Sequence, residues 1–262
     1  MRHYKFFAFL LITVSCIFSV SAQDGDEISV DTSIVRLNIG AVTRSGQPVK
    51  SLTKENFSIY EDGVKQEITR FEPTSSPFSL VMILDMSGST LGFRQTIQQS
   101  AYRFVDALAP EDRIAVIEFY DKVNLLNDFT ENRRTVGHSI SVANGRGKTQ
   151  LYKALSLALQ KLAGEGNRRK AIIVLTDGID TGVRESDRSI LAKAAESEVT
   201  TVIKPETNPE LNNILTRADV QGITIYPLAL PTGDPSKVAD PSPIQFAWYS
   251  AARTRLDILA KR

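Results

Sequence analysis

The chain has 262 residues, of which 42% are hydrophobic and 23% charged, the ordinary balance of a soluble globular protein. Its formal net charge is +1, so neither nucleic acid nor an anionic membrane surface is indicated as a main partner. A chain of this length accommodates one medium α/β domain and a small additional unit.

The first 22 residues have the pattern of a secretory signal peptide. Residues 1–5 are basic, residues 6–20 are apolar, and the small residues that follow offer a cleavage site after Ala22. The apolar run is short for a membrane span, which favours cleavage over a retained anchor. Cys16, the single cysteine, only weakly resembles a lipidation site. We expect a secreted or periplasmic protein of the cell envelope, without a transmembrane segment after cleavage.

Residues 23–76 are predicted to form a small β-rich unit. Val35, Leu37 and Ile39 alternate with polar or small residues, as in a half-buried strand. Residues 57–71 have the pattern of a hairpin, with Asp62 and Gly63 as a favoured turn pair. The unit is too short for an immunoglobulin-like sandwich, so we expect it to pack against the larger domain.

From residue 77 onward, short apolar segments alternate with amphipathic ones. Strands are predicted at 79–84, 113–120, 123–129, 170–175 and 223–230, and helices at 91–108, 133–143, 151–162, 189–197, 209–222 and from 243 onward. The strand at 123–129 is expected to be an antiparallel edge. This alternation predicts an α/β fold, a doubly wound and mostly parallel sheet with helices on both faces.

Three oxygen-bearing side chains follow the first strand of this sheet. Asp85, Ser87 and Ser89 occupy alternate positions of a tight loop at the carboxyl end of that strand. Ligands of doubly wound sheets bind at this edge. Carboxylate and hydroxyl oxygens are suitable ligands for a hard cation such as Mg²⁺ or Mn²⁺.

Two further oxygen side chains stand in compatible positions. Asp177 follows the strand at 170–175, and Thr149 precedes the helix at 151–162. Each has a simpler explanation when it is considered alone, because Thr149 could cap its helix and Asp177 could be a turn residue. The complete set is harder to explain by capping, and it predicts a cation site.

The five positions resemble the metal-ion-dependent adhesion site of a von Willebrand factor type A domain. They are Asp85-x-Ser87-x-Ser89, Thr149 in Gly-Lys-Thr-Gln-Leu-Tyr, and Asp177 in Thr-Asp-Gly. The resemblance implies direct coordination by Ser87, Ser89 and Thr149, with Asp85 and Asp177 acting mainly through waters. It covers residues 77–262, although the last strand usual in the family is missing from the pattern. The preceding segment resembles the leader of a bacterial subgroup of these proteins.

The resemblance implies a non-enzymatic, divalent-cation-dependent protein-binding module, used in adhesion or assembly at the bacterial cell envelope. An Asp or Glu of a protein partner would complete the shell of Mg²⁺ or Mn²⁺. Arg146 and Lys148, beside Thr149, would either steer this acidic partner or only solvate their loop. Asp180 is expected to do no more than solvate the rim.

Two alternatives stay open. A haloacid-dehalogenase-like phosphatase also places an Asp after its first strand and uses Mg²⁺. It needs a second Asp two residues later as general acid, however, and this chain has Ser87 there. The other alternative is a structural subunit whose metal only stabilises the loops.

Overall fold

The computed structural model describes residues 51–71, 77–166, 168–237 and 239–261, together with positions 35, 37, 39, 41, 43, 44 and 49. The chain divides into two compact units, Met1–Ile39 and Gly40–Arg262, and every helix and strand given below lies in the second. The predicted signal peptide lies outside the described residues. The predicted boundary at residue 76 stays a prediction.

The N-terminal part contains the predicted hairpin. Strands β1 (Ile59–Glu61) and β2 (Val64–Gln66) pair in antiparallel fashion. Their turn residues Asp62 and Gly63 have φ angles of 50° and 81°, as a two-residue turn between twisted strands requires.

The strand predicted around Val35, Leu37 and Ile39 was wrong at these positions. They belong to no strand, and their side chains are 74%, 52% and 53% exposed. An alternating pattern gives a strand only where a neighbouring strand satisfies its backbone groups.

Five strands form the main sheet. They are β3 (Phe78–Asp85), β4 (Arg113–Phe119), β5 (Val123–Thr130), β6 (Arg169–Thr176) and β7 (Ile223–Ala229). Their order is β5-β4-β3-β6-β7. All neighbours are parallel except β5, which runs antiparallel to β4 at the edge. The predicted doubly wound, mostly parallel sheet is therefore confirmed.

Six α-helices connect and cover these strands. They are α1 (Arg94–Asp106), α2 (Arg133–Val142), α3 (Leu151–Ala163), α4 (Thr181–Leu191), α5 (Pro209–Gln221) and α6 (Pro243–Ala260). The sequence placed α4 too late, at 189–197. The helix starts earlier because the Asp180 side chain accepts hydrogen bonds from the backbone N–H groups of Gly182 and Val183. Among the described residues, no helix combines the length and apolar character needed to cross a membrane.

The sheet is covered on both faces, which explains why its central strand is apolar from Leu80 to Leu84. Val81 and Ile83 of β3 point to a core formed with α3, α5 and α6. Leu80, Met82 and Leu84 point to the opposite core, formed with α1 and α2. The chain leaves β3 towards β4 and leaves β6 towards β7, so the strand order changes direction between β3 and β6. Ligands of such sheets bind at the carboxyl ends of these two strands.

Candidate cation site at the carboxyl edge of the sheet

The serine loop, residues 85–89, begins with the last residue of β3. Asp85 is fully buried, and its Oδ1 accepts a hydrogen bond from the Ser87 N–H at 3.0 Å. Its Oδ2 accepts one from the Thr176 hydroxyl at 2.7 Å. Ser87 is buried and Ser89 exposed, and their Oγ atoms lie 3.1 Å apart. The alternate spacing therefore brings the two hydroxyls together, and hydrogen bonds from Ser87 and Thr176 fix the Asp85 carboxylate.

Two residues that the sequence analysis missed shape this loop. The hydroxyl of Thr90 donates to the carbonyl oxygens of Asp85, at 2.9 Å, and Ser87, at 3.1 Å. The guanidinium of Arg94 donates to the Met86 carbonyl at 2.8 Å. A hydroxyl next to a predicted helix start was the available signal for Thr90, because Ser and Thr often bond to nearby backbone groups there. No local pattern pointed to Arg94.

Asp177 stands at the end of the neighbouring strand, directly after β6. It is 1% exposed. Its Oδ1 accepts a hydrogen bond from the Ile179 N–H at 3.1 Å, and its Oδ2 lies 3.4 Å from the Thr232 hydroxyl, which donates to it. The Ser89 side chain also hydrogen-bonds to this carboxylate. Asp177 and the serine loop are therefore direct neighbours.

The electrostatics of the two carboxylates are unusual. Burial, together with the nearby charge of Asp177, raises the pKa of Asp85 to about 7. Burial also raises the pKa of Asp177 above its ordinary value. Within the described part of the chain, neither carboxylate forms an ion pair with a cationic side chain. Two buried like charges that no ion pair compensates are costly, and a bound cation would relieve that cost.

Thr149 belongs to the loop before α3 and is 5% exposed. Its N–H donates to the Thr181 hydroxyl at 2.9 Å, and its carbonyl accepts from the Thr181 N–H at 3.0 Å. The same loop meets the serine loop, because the Gly88 N–H donates to the Gly147 carbonyl at 3.1 Å. The N-cap position of α3 is Gln150, so the helix-cap explanation of Thr149 was wrong.

The structure thus places all five predicted residues at the carboxyl edge of the sheet. The donor set fits a hard divalent cation, because it combines buried carboxylates with neighbouring hydroxyl oxygens. In the described residues there is no cluster of three or more His, Cys, Asp or Glu side chains that could bind a metal. A cation at this edge would therefore depend on the hydroxyl oxygens as well as the two acids.

Asp180 does not have the role that the sequence suggested. It is only 8% exposed and caps α4, and its Oδ2 also accepts a 3.4 Å hydrogen bond from the Tyr152 N–H of α3. Burial raises the pKa of this carboxyl. Asp180 is thus a structural acid that joins two helices beneath the site.

The fold and this edge define a doubly wound α/β domain with an oxygen-lined candidate cation site. Residues 80–179 match the family model for the von Willebrand factor type A domain. This match confirms, for residues 80–179, the resemblance seen in the sequence. Domains of this family often mediate protein–protein interactions, with metal dependence.

Known relatives and solved structures cover different shares of the chain. An uncharacterized protein of Synechocystis sp., sll0103, is 31% identical over 106 residues, which is 39% of this chain and 25% of the relative. This chain thus spans about a quarter of that relative's length.

Two solved structures are similar at lower identity. The von Willebrand factor domain of the type V pili tip protein Mfa5 from Porphyromonas gingivalis is 17% identical, covering 71% of this chain and 97% of that chain, with a TM-score of 0.45. The manganese-loaded TRAP protein of Plasmodium vivax is 12% identical, covering 66% and 61%, with a TM-score of 0.43.

Proposed function

We propose that residues 77–262 form a divalent-cation-dependent protein-binding module of the bacterial cell envelope, whose ligand is an Asp or Glu of a protein partner. The observation that carries this proposal is the pair of buried acids, Asp85 and Asp177, beside the adjoining hydroxyls of Ser87 and Ser89. This arrangement lies at the one edge of the sheet where a doubly wound fold presents its ligands.

Ser87, Ser89 and Thr149 would hold Mg²⁺ or Mn²⁺ through their hydroxyl oxygens, and Asp85 and Asp177 would supply the compensating negative charge. When bound, the ion supplies a Lewis-acidic position that attracts a further carboxylate oxygen. The chain's own part is to hold its donors in place. The hydrogen bonds of Asp85 to Ser87 and Thr176 do this for the serine loop.

The state of Asp85 supports a binding role over a phosphatase role. A nucleophilic carboxylate needs a free oxygen that faces its substrate. Both oxygens of Asp85 accept hydrogen bonds from the protein, and the residue is fully buried. Ser87, at the position of the required general acid, cannot donate a proton as a carboxyl group would.

Charged residues around the site support an acidic partner. Arg146 and Lys148 are both exposed and lie on either side of Gly147, in the loop that carries Thr149. Positive charges beside a binding site accelerate the approach of an acidic surface. The predicted signal peptide supports a place at the cell envelope.

The direct test is a titration of the purified chain with Mn²⁺, followed by electron paramagnetic resonance. We expect one bound ion in the wild type and an affinity at least tenfold weaker in Ser87→Ala, which removes one oxygen donor. Asp128→Ala is the matched control. Asp128 is an exposed acid near the end of β5, and this end of β5 pairs with the start of β4, away from the carboxyl edge of the sheet. A wild-type chain that binds no Mn²⁺ would refute the proposal.

A second experiment separates a binding module from a structural subunit. The wild type and Ser87→Ala would be immobilised and exposed to an envelope extract in Mg²⁺, and bound proteins would be eluted with chelator. We expect a protein that elutes from the wild-type matrix and is absent from the variant matrix. If the wild type binds Mn²⁺ but the wild-type and Ser87→Ala matrices give identical eluates, the metal only stabilises the loops.

A further inference from the structure

We propose that Asp121 is a positioning residue of the candidate cation site, which holds the loop carrying Thr149 in its place. This inference deepens the proposed function and rests on it, because it concerns the geometry of the same site. Asp121 lies in the turn between β4 and β5, on an element that contributes none of the five predicted ligands.

The contacts of Asp121 fall on both neighbours of Thr149. The N–H of Lys148 donates to Asp121 Oδ1 at 2.6 Å. The side-chain amide of Gln150 donates to the backbone carbonyl of Asp121. Because the residues before and after Thr149 are both bound to the same turn, we infer that Asp121 positions Thr149 together with Thr181, which hydrogen-bonds to Thr149 directly.

The loop also packs closely against this turn. A Cβ atom added at Gly147 would lie 2.6 Å from Asp121 Oδ1, and Gly147 has a φ angle of +89°, so only glycine fits. A Cβ atom at Gly145 would collide with the ring of Tyr120. The two glycines thus allow the backbone of residues 145–147 to lie directly on Tyr120 and Asp121.

Arg94, the first residue of α1, holds the start of the loop that carries Thr149. Arg94 donates to the Asn144 side chain at 2.5 Å and to the Gly145 carbonyl, as well as to the Met86 carbonyl of the serine loop. Arg94 therefore joins the two loops at one end, and Asp121 fixes the far end next to Thr149. Replacing the Asp121 side chain removes the hydrogen bond from the Lys148 N–H, next to Thr149, and leaves the bonds between Thr149 and Thr181 in place.

Asp121 is the more informative of the two residues to change, because it is exposed and lies outside both cores. Loss of an outer partner of a metal ligand typically weakens metal affinity by about 10–100-fold. Loss of one exposed hydrogen bond has little effect on the fold. A positional role therefore predicts a large change in affinity with a small change in thermal stability.

The test compares Asp121→Ala with Asp121→Asn in the full chain, by Mn²⁺ titration. Both variants remove the negative charge, but the side-chain carbonyl of Asn can still accept the hydrogen bond from Lys148. We expect Asp121→Ala to weaken Mn²⁺ binding about tenfold or more. We expect Asp121→Asn to bind close to the wild type, and Asp128→Ala to bind as the wild type does.

A second readout follows the loop itself, as hydrogen exchange of the Lys148 amide measured by NMR without metal. We expect exchange to be slow in the wild type and in Asp121→Asn, and faster in Asp121→Ala. Equal losses of Mn²⁺ affinity in both variants would show a charge effect and overturn the proposal, as would unchanged affinity in both. If the wild type binds no Mn²⁺, the proposed function fails by itself. Asp121 then has no cation site to position, and the exchange rates of the Lys148 amide show separately whether Asp121 holds the loop.

Discussion

Buried acids are treated differently in two regions of this molecule. Between α4 and α6, Asp187 and Arg255 are 4% and 5% exposed and form a two-pronged ion pair with distances of 2.8 and 2.7 Å. At the carboxyl edge of the sheet, Asp85 and Asp177 are buried as deeply, and the charge of Asp177 acts on Asp85 instead of a cationic side chain pairing with it. Between the two helices, the buried acid is paired with an arginine. At the carboxyl edge of the sheet, no ion pair among the described residues offsets the two acids, as the proposed cation site requires.

The largest effect is expected from breaking the structural pair. Asp187→Ala leaves the guanidinium of Arg255 buried without its partner, so we expect the free energy of unfolding to fall by about 3–5 kcal/mol. Urea denaturation of the metal-free protein measures this change. The control is Asp128→Ala, which breaks the exposed pair with Lys161 and should cost at most about 1 kcal/mol. Equal costs for the two variants would contradict the distinction between buried and exposed pairs.

The acids at the edge should make the stability of the metal-free protein depend on pH. Because burial raises the pKa of Asp85 from 3.8 to about 7, the folded state binds more protons than the unfolded state between these values. The metal-free protein should therefore lose stability as pH rises from 4 to 7, by roughly a few kcal/mol, since one pKa unit corresponds to about 1.4 kcal/mol.

Urea denaturation at pH 5 and pH 8, with chelator present, measures this dependence. Asp85→Asn should reduce this dependence, because the amide does not titrate and no longer repels Asp177. A wild-type protein that is more stable at pH 8 than at pH 5, with no difference from Asp85→Asn, would refute this electrostatic account.

Mg²⁺ should offset the repulsion between Asp85 and Asp177 and so stabilise the folded protein. A ligand that binds only the folded state stabilises it by about 2.7 kcal/mol at a concentration one hundred times its dissociation constant. We expect this gain in the wild type and its loss in Ser87→Ala, measured by urea denaturation with Mg²⁺ or with chelator. An equal gain in both proteins would place the ion somewhere else.

The sequence predicted those features that depend on local patterns. The strands β3 and β6 are continuous apolar runs, and the oxygen side chains follow directly from their ends, so Asp85 and Asp177 were recognisable. The caps of α5 and α6 were also visible, because Asn208 and Ser242 each precede a proline in the first helical turn.

Features that depend on contacts between distant segments were not predictable. Asp187 and Arg255 are 68 positions apart, and neither stands in a pattern that indicates a partner. The cap role of Asp180 was missed because an Asp is equally common in an exposed loop and at a helix N-cap, so the sequence does not distinguish the two. The strand expected at Val35 had the right alternation, but its pattern does not say whether a partner strand is present.

In the proposed site, five oxygen side chains from three loops meet around one divalent cation. The most direct test of this arrangement is a crystal of the full chain grown with Mn²⁺, with anomalous diffraction measured near the manganese absorption edge. We predict one strong anomalous peak at the carboxyl ends of β3 and β6, in contact with the hydroxyl oxygens of Ser87 and Ser89. A map with no peak at this edge, or with its peak elsewhere on the protein, would contradict the account.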